Sequence, residues 1–274
     1  MKDYKIIFLF VIILLDIRIC FSQDFYMVKD IKPGTDNTDI QSLTVMGNIV
    51  YFACNDGIAG YELWRSDGTE QGTYMVKDIF PGEDQYGYPN SSYPLHLVSL
   101  NDTLFFQASN DSIGYELWKS DGTEQGTVLV KDIYPGDGNS YVEYLTVSGD
   151  EIFFKADDGT HGLELWKSDG TEQGTVMVKD IYPGVVGSDP KYITDVDGTV
   201  FFDAYTEAEG DELWKSDGTE QGTVMVKDVI PGTTGSFPTN LTNVNGLLFF
   251  KGGCDLWKSN GTEAGTIVLM QSST

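Results

Sequence analysis

Five near-copies of one string leave this chain few ways to fold. The string ELWKSDGTEQGTVMVKDIYPG occupies 164–184 and recurs from Glu62, Glu116 and Glu212, with a worn copy from Asp255. All five tryptophans, Trp64, Trp118, Trp166, Trp214 and Trp257, lie inside it, spaced 54, 48, 48 and 43 residues apart. A fixed period of roughly 20–50 residues marks a repeat architecture, whose units bury their apolar faces on one another.

Each period divides into four short apolar runs. In the third copy they are 144–148, 151–156, 163–167 and 175–181, rich in Val, Phe, Tyr, Trp, Ile and Thr and bounded by Gly, Asp, Asn or Pro. Such runs read as strands, and no window holds a helical period for long. The links suit antiparallel neighbours. Pairs such as Asn101-Asp102, Asp197-Gly198 and Asn245-Gly246 tolerate the positive φ of a tight hairpin. SDGTEQGT can close a second hairpin on its own backbone. Pro-Gly after the fourth run, as at Pro135-Gly136 and Pro183-Gly184, is a type II turn signature.

Four antiparallel strands per unit, five times over, predict an all-β fold: a β-propeller of five four-stranded blades. An open solenoid is the competing architecture. There are five copies of strands one to three but six candidates for strand four, because 25–31 (FYMVKDI) repeats it before the first unit. The last candidate, 266–270 (TIVLM), lacks the Lys-Asp. The expectation is therefore a ring closed by strands from both termini, with either terminal strand able to take the shared place.

The formal charge is −25 and the pI near 4.1. This argues against nucleic acid or anionic lipid as a partner, since phosphate binding needs clustered Lys and Arg. Residues 1–22 read as a signal peptide: Lys2 and Lys5, an apolar run over 6–15, and small residues Cys20 and Ser22 at the cleavage position. The expectation is a secreted protein with one five-repeat domain over 23–274, and no membrane span once the leader is removed. Cys54 and Cys254 are too few for a disulfide scaffold. A bond between them would lock the first blade to the last if the ring closes. The competing reading aligns Cys54 with Ala108, Ala156 and Ala204, as a small buried residue.

The motif ELW(K/R)SDGT, intact at 62–69, 116–123, 164–171 and 212–219, resembles the ELWxxDGT repeat family of secreted or surface proteins. The fifth copy departs, with Asp255 for Glu and Asn260 for Asp. The resemblance spans nearly the whole chain after the leader. It implies export and a propeller-like β fold, and it implies no catalytic residues.

No zinc pattern, nucleophile elbow or phosphate loop is present. Arg65 is the one arginine after the leader, which speaks against the arginine cluster of a sialidase. No cofactor is expected. Calcium would suit the acidic turns at Asp157-Asp158 and 195–198, but turn chemistry also explains them. Asn90, Asn101, Asn110, Asn240 and Asn260 each begin a glycosylation sequon. The hairpin turns fall on one face of such a fold and are nearly constant. Length and composition vary on the other, from the long loop 81–93 with Tyr86 and Tyr88 to Gly252-Gly253. Variable loops on a uniform scaffold are where binding is selected, although exposed loops also drift. Asp157, Asp158, His161, Tyr192, Tyr205 and Glu207 are the candidate contacts on that second face. The reading is an extracellular recognition or adhesion module for a glycan or protein, not an enzyme. The alternative is a secreted glycosidase-like hydrolase on a propeller scaffold.

Overall fold

The computed structural model describes residues 26–34 and 38–271, so the leader and Phe25 lie outside the described part. Among the described residues the regular structure is all strand. Unit 1 consists of β1 (Ile40–Met46), β2 (Ile49–Asn55), β3 (Tyr61–Ser66) and β4 (Tyr74–Lys77). Unit 2 holds β5 (Leu95–Leu100), β6 (Thr103–Ala108), β7 (Glu116–Ser120) and β8 (Val128–Lys131). Unit 3 holds β9 (Glu143–Ser148), β10 (Glu151–Asp157), β11 (Leu163–Ser168) and β12 (Val176–Lys179). Unit 4 holds β13 (Lys191–Val196), β14 (Thr199–Thr206), β15 (Gly210–Ser216) and β16 (Val224–Lys227). Unit 5 holds β17 (Thr239–Val244), β18 (Leu247–Gly252), β19 (Asp255–Ser259) and β20 (Ile267–Met270). Each unit is one antiparallel four-stranded sheet in chain order, and the whole is propeller-like. The expected turn chemistry is present: Asn101, Asp102, Asp197 and Asn245 stand at φ 48–57°, and Gly136 and Gly184 at 95° and 120°.

Consecutive units stack face to face. The leading face of unit 2 (Leu100, Phe105, Leu117, Val130) packs on the trailing face of unit 3 (Leu145, Ile152, Phe154, Trp166). Units 1–2, 3–4 and 4–5 repeat this arrangement with equivalent residues. First strands meet along the inner side, β1 on β5, β5 on β9, β9 on β13 and β13 on β17. β17 makes no comparable contact with β1.

Two charged residues of the repeat hold each joint. The first is the Glu of ELW. Glu62, Glu116, Glu164 and Glu212 are completely buried. Glu62 accepts from Ile79 N at 2.9 Å, Ser92 N at 3.0 Å and Ser92 Oγ at 2.6 Å. Glu164 accepts from Tyr182 N at 3.0 Å, Ser188 N at 3.0 Å and Ser188 Oγ at 2.6 Å. One carboxylate thus ties the exit of strand four to the entry of the next unit. It also explains why strand four ends at Lys179 rather than 181: the next N–H groups turn away from the sheet toward the carboxylate.

The second is the Lys of strand four. Lys77, Lys131, Lys179 and Lys227 donate to the carbonyls of Thr127, Thr175, Thr223 and Thr266 in the following unit, at 2.7–2.9 Å. Lys131, Lys179 and Lys227 also lie 5.7–5.9 Å from the ring centroids of Trp166, Trp214 and Trp257. The segment 26–34 is not a strand, yet Lys29 makes the same bond to Thr73 O at 2.6 Å. Ile31 covers Phe52, Cys54 and Trp64. This segment therefore occupies, on unit 1, the place of a preceding strand four.

SDGTEQGT is closed by its own side chains. Asp169 Oδ1 accepts from Thr171 N and Oγ1, and Ser168 Oγ meets Thr175 Oγ1 at 2.7 Å. Gly170 stands at φ +85°, and a Cβ there would come 2.9 Å from Phe105 of the preceding unit. Cys54 and Cys254 are not bonded to each other: Cys54 is fully buried in the small-residue position of its strand, and Cys254 is exposed.

Burial pushes the carboxyls of Glu62, Glu116 and Glu164 up to about 7, against the pull of the bonds they accept. Their ordinary value is 4.5, so between the two the folded chain binds more protons than the unfolded one. Stability is then full below the unfolded value and is lost as pH rises through the folded one. Thermal midpoints should fall between about pH 5 and about pH 8, and Glu116→Gln should flatten that fall. Lys179→Met removes a charge-assisted hydrogen bond and a cation–π contact. Chemical denaturation should show a loss of about 2 kcal/mol.

Candidate functional site

The second face carries two rows of residues in the left-handed backbone region. The outer row follows the entry serines: Tyr93, Tyr141, Asp189 and Phe237, at φ 47–50°. The inner row sits in the first strands: Ser42, His96, Tyr144, Tyr192 and Asn240, at φ 55–58°. The pairing register shifts at the inner row, as between Leu95 and Val98 or Lys191 and Thr194, so each is a β-bulge. Left-handed backbone is uncommon outside glycine, and bulky residues there cost on the order of 1–2 kcal/mol. Here the inner row recurs in all five units and the outer row at all four joints, where it lies between the entry serine and the strand ladder. It aims rings outward: Tyr93, Tyr141, Tyr192 and Phe237 are 37–54% exposed.

The inner row also borders a groove. A cavity of about 300 Å³ is lined by Ser42, Leu43, Thr44, His96, Leu97 and Tyr144, among others. This is at the lower end of small-ligand sites. Desolvation beside the groove holds the imidazole of His96, a residue otherwise exposed, below its usual value, which favours the neutral ring.

Between units 3 and 4 a chain of charges crosses the same face. Lys155, nearly buried, meets Glu143 at 2.8 Å and Asp189 at 3.0 Å. Asp189 also meets Lys191 at 2.7 Å. Lys155 lies 5.3 Å from the Tyr144 ring, and Tyr144 meets Tyr192 edge to face at 5.7 Å. Asp203 is 3% exposed and opposite Lys191 in the sheet, and its Oδ1 has no partner among the described residues. Burial and the neighbouring Asp211 push its carboxyl up to about 8.

The residues expected from sequence fall into three places. Asp157 ends β10, and Asp158 and His161 follow in the β10–β11 loop, which the three side chains serve. Asp157 Oδ1 accepts from Gly159 N, Asp158 Oδ1 from Thr160 and His161 N, and Asp158 Oδ2 meets His161 Nδ1 at 2.8 Å. Tyr205 lies in the next unit, edge-on to Tyr182 at 5.3 Å, and Glu207 is exposed in the turn beyond. Tyr192 alone belongs to the inner row. Sequence reasoning missed His96, Tyr141, Tyr144, Lys155 and Asp203. One signal was readable: Lys155 and Asp203 put charges where the aligned strands have Ala53 and Gln107. Among the described residues no group of three or more His, Cys, Asp or Glu is placed to hold a metal ion. Asn101 and Asn240 are exposed, and Asn90 and Asn110 are half-buried. Asn260 is exposed but its Oδ1 closes the last SNGT turn.

No protein-family model matches this chain, and no curated protein matches it in sequence. Among solved structures it is similar to puromycin hydrolase, at 13% identity and TM-score 0.49, over 85% of this chain and 39% of that one. It is also similar to the computationally designed protein Ika8, at 13% identity and TM-score 0.46, over 86% of this chain and 59% of that one. This chain thus spans less than two thirds of either, and likenesses this distant bear on neither ligand nor activity.

Tyr141→Gly relieves left-handed strain while deleting an exposed ring. Its unfolding free energy should stay level or rise by about 1 kcal/mol. A clear loss of stability in chemical denaturation would show that the ring is there for packing.

Proposed function

We propose that this chain is an extracellular recognition or adhesion module on a five-bladed β-propeller, binding a glycan or a protein surface on its second face. One observation carries the reading: large rings are held on left-handed backbone, half exposed, in every unit boundary of that face. A fold keeps such strain where something is gained from the position of the side chain. Tyrosine rings stack on sugar faces, and the carboxylates of Glu143 and Asp189 beside them accept hydroxyl donors. The ligand is bound and not transformed. The leader-like start of the sequence and its sequons support an exported glycoprotein. The five blades belong to a ring completed around the inner strands.

Mature protein on a glycan array, beside a hydrolysis screen on the same glycans, tests this. The expected result is binding without turnover. Tyr141→Ala and Tyr192→Ala should weaken it at least tenfold, which corresponds to about 1.4 kcal/mol. Glu172→Ala and Glu220→Ala on the constant face should leave it unchanged. Turnover of a bound glycan would favour the hydrolase reading. Loss of binding only from the Glu172 and Glu220 variants would place the site on the wrong face.

A further inference from the structure

One hydrogen bond repeats along the first strands and fails at a single joint. Two residues after each inner-row position stands a threonine in units 1, 3, 4 and 5: Thr44, Thr146, Thr194 and Thr242. Its hydroxyl reaches across the joint to a carbonyl in the first strand of the next unit. Thr44 Oγ1 donates to Leu97 O at 2.8 Å, Thr146 Oγ1 to Ile193 O at 2.6 Å and Thr194 Oγ1 to Leu241 O at 3.4 Å. Thr242, in the last unit, donates instead to Asn240 O of its own strand at 3.0 Å. Unit 2 has Val98 in this place. The carbonyl across that joint, Leu145 O, therefore lacks the hydroxyl that its counterparts receive.

Val98 and Leu145 both line the groove of about 300 Å³ beside the inner row, so the break in the pattern and the groove coincide. The groove has two kinds of wall. Leu43, Leu97 and Val98 give it an apolar side, and Ser42, His96 and Tyr144 a polar one. These three polar residues are the left-handed positions of units 1, 2 and 3, and a bulge re-aims the side chain it carries. Neither wall offers a free charge. His96 is held toward its neutral form, in which one ring nitrogen donates and the other accepts. The Lys155 ammonium, 5.3 Å from the Tyr144 ring, is taken up by Glu143 and Asp189. An open acceptor between apolar and hydroxyl-bearing walls, with no free charge, suits a neutral sugar ring. Its apolar face would lie on the leucines, and one of its hydroxyls would replace the absent threonine's.

We propose that this groove is a subsite for a single neutral sugar residue, seated among units 1, 2 and 3 with a hydroxyl donating to Leu145 O. This rests on reading the second face as a glycan-binding surface, and it names the kind of residue that surface takes. A ligand of one ring is small, so its Kd should be on the order of a millimolar.

Val98→Thr tests the proposal, because it restores the residue found in the four other units. The added hydroxyl should close on Leu145 O, raise the thermal midpoint by about 2–4 °C and weaken sugar binding at least tenfold. The probes are the methyl glycosides of glucose, galactose, mannose and N-acetylglucosamine, with glucuronic acid and glucosamine as charged counterparts. His96 and His161 are the two histidines of the chain, so ring-proton NMR of the mature protein reads the groove directly. At least one neutral glycoside should move the His96 signals and leave those of His161 in place. His96→Asn puts at that left-handed position the residue type of Asn240, its counterpart in unit 5, and should fold while weakening binding seen by saturation transfer. Unmoved His96 signals with every neutral glycoside overturn the proposal, as does equal binding of the charged sugars. So does a Val98→Thr variant that binds as the wild type does, whether or not it is more stable. Glycan binding that Tyr141→Ala abolishes while the His96 signals stay still would sink the subsite and leave the recognition reading intact. Binding to no glycan in any of these assays would end the glycan reading with it.

Discussion

A fully buried carboxylate at every joint is the constraint from which the rest follows. Removing an ionised group from water costs several kcal/mol unless hydrogen bonds replace the hydration. Glu164 meets this with two backbone N–H groups and a hydroxyl, drawn from segments 18 and 24 residues away in the chain. Those donors exist only if strand four ends where it does and the next unit enters beside it with a serine. The spacing from Glu through Lys-Asp to the first N–H beyond strand four, 17 residues at Glu62, Glu116 and Glu212, is thus fixed by the geometry of one side chain, while the loop on to the serine is free to lengthen, as it does before Ser92. That is a sufficient reason for the ELW string to be copied so closely. The fifth copy departs at Asp255 and Met270, the positions whose partners lie at or beyond a joint.

Much of this was legible in sequence, because the signals were local. Strand runs, hairpin pairs and Pro-Gly turns each carry their own chemistry, and 151–156 and 163–167 agree with β10 and β11 to within a residue. The end of strand four was misplaced because its N–H groups are taken by a glutamate far away in sequence. The segment 25–31 was read as a strand from its copy of VKDI, and its described residues, 26–31, are not one. What the copy preserves is the lysine bond, not the ladder.

The site was less legible for two physical reasons. Asp157 and Asp158 looked like exposed ligands, but short acidic side chains satisfy the nearest N–H groups first, and their loop closes on them. The left-handed rows could not be seen at all. Such positions are usually announced by glycine or asparagine, and here they hold Tyr93, Tyr141, Tyr144 and His96. Their backbone is imposed by the bulge and by the serine tie, both of which are tertiary.

These two halves explain each other. The first face is constant because its side chains are consumed in holding units together: Lys119 and Lys215 donate to Gly170 O and Gly261 O, and the SDG glycines Gly122, Gly170 and Gly218 lie against the preceding unit's aromatic ring. Little there can change without loosening a joint. On the second face the tie is made by backbone groups and one serine, so the residue immediately after that serine has a fixed place while its side chain takes no part in the tie. That residue is Tyr93, Tyr141, Asp189 or Phe237, a different choice at nearly every boundary. Where it is Asp189, it recruits Lys155 and Lys191 instead of presenting a ring. A rigid frame that repeats one strained position while leaving its side chain open is suited to varying what it recognises without changing how it folds.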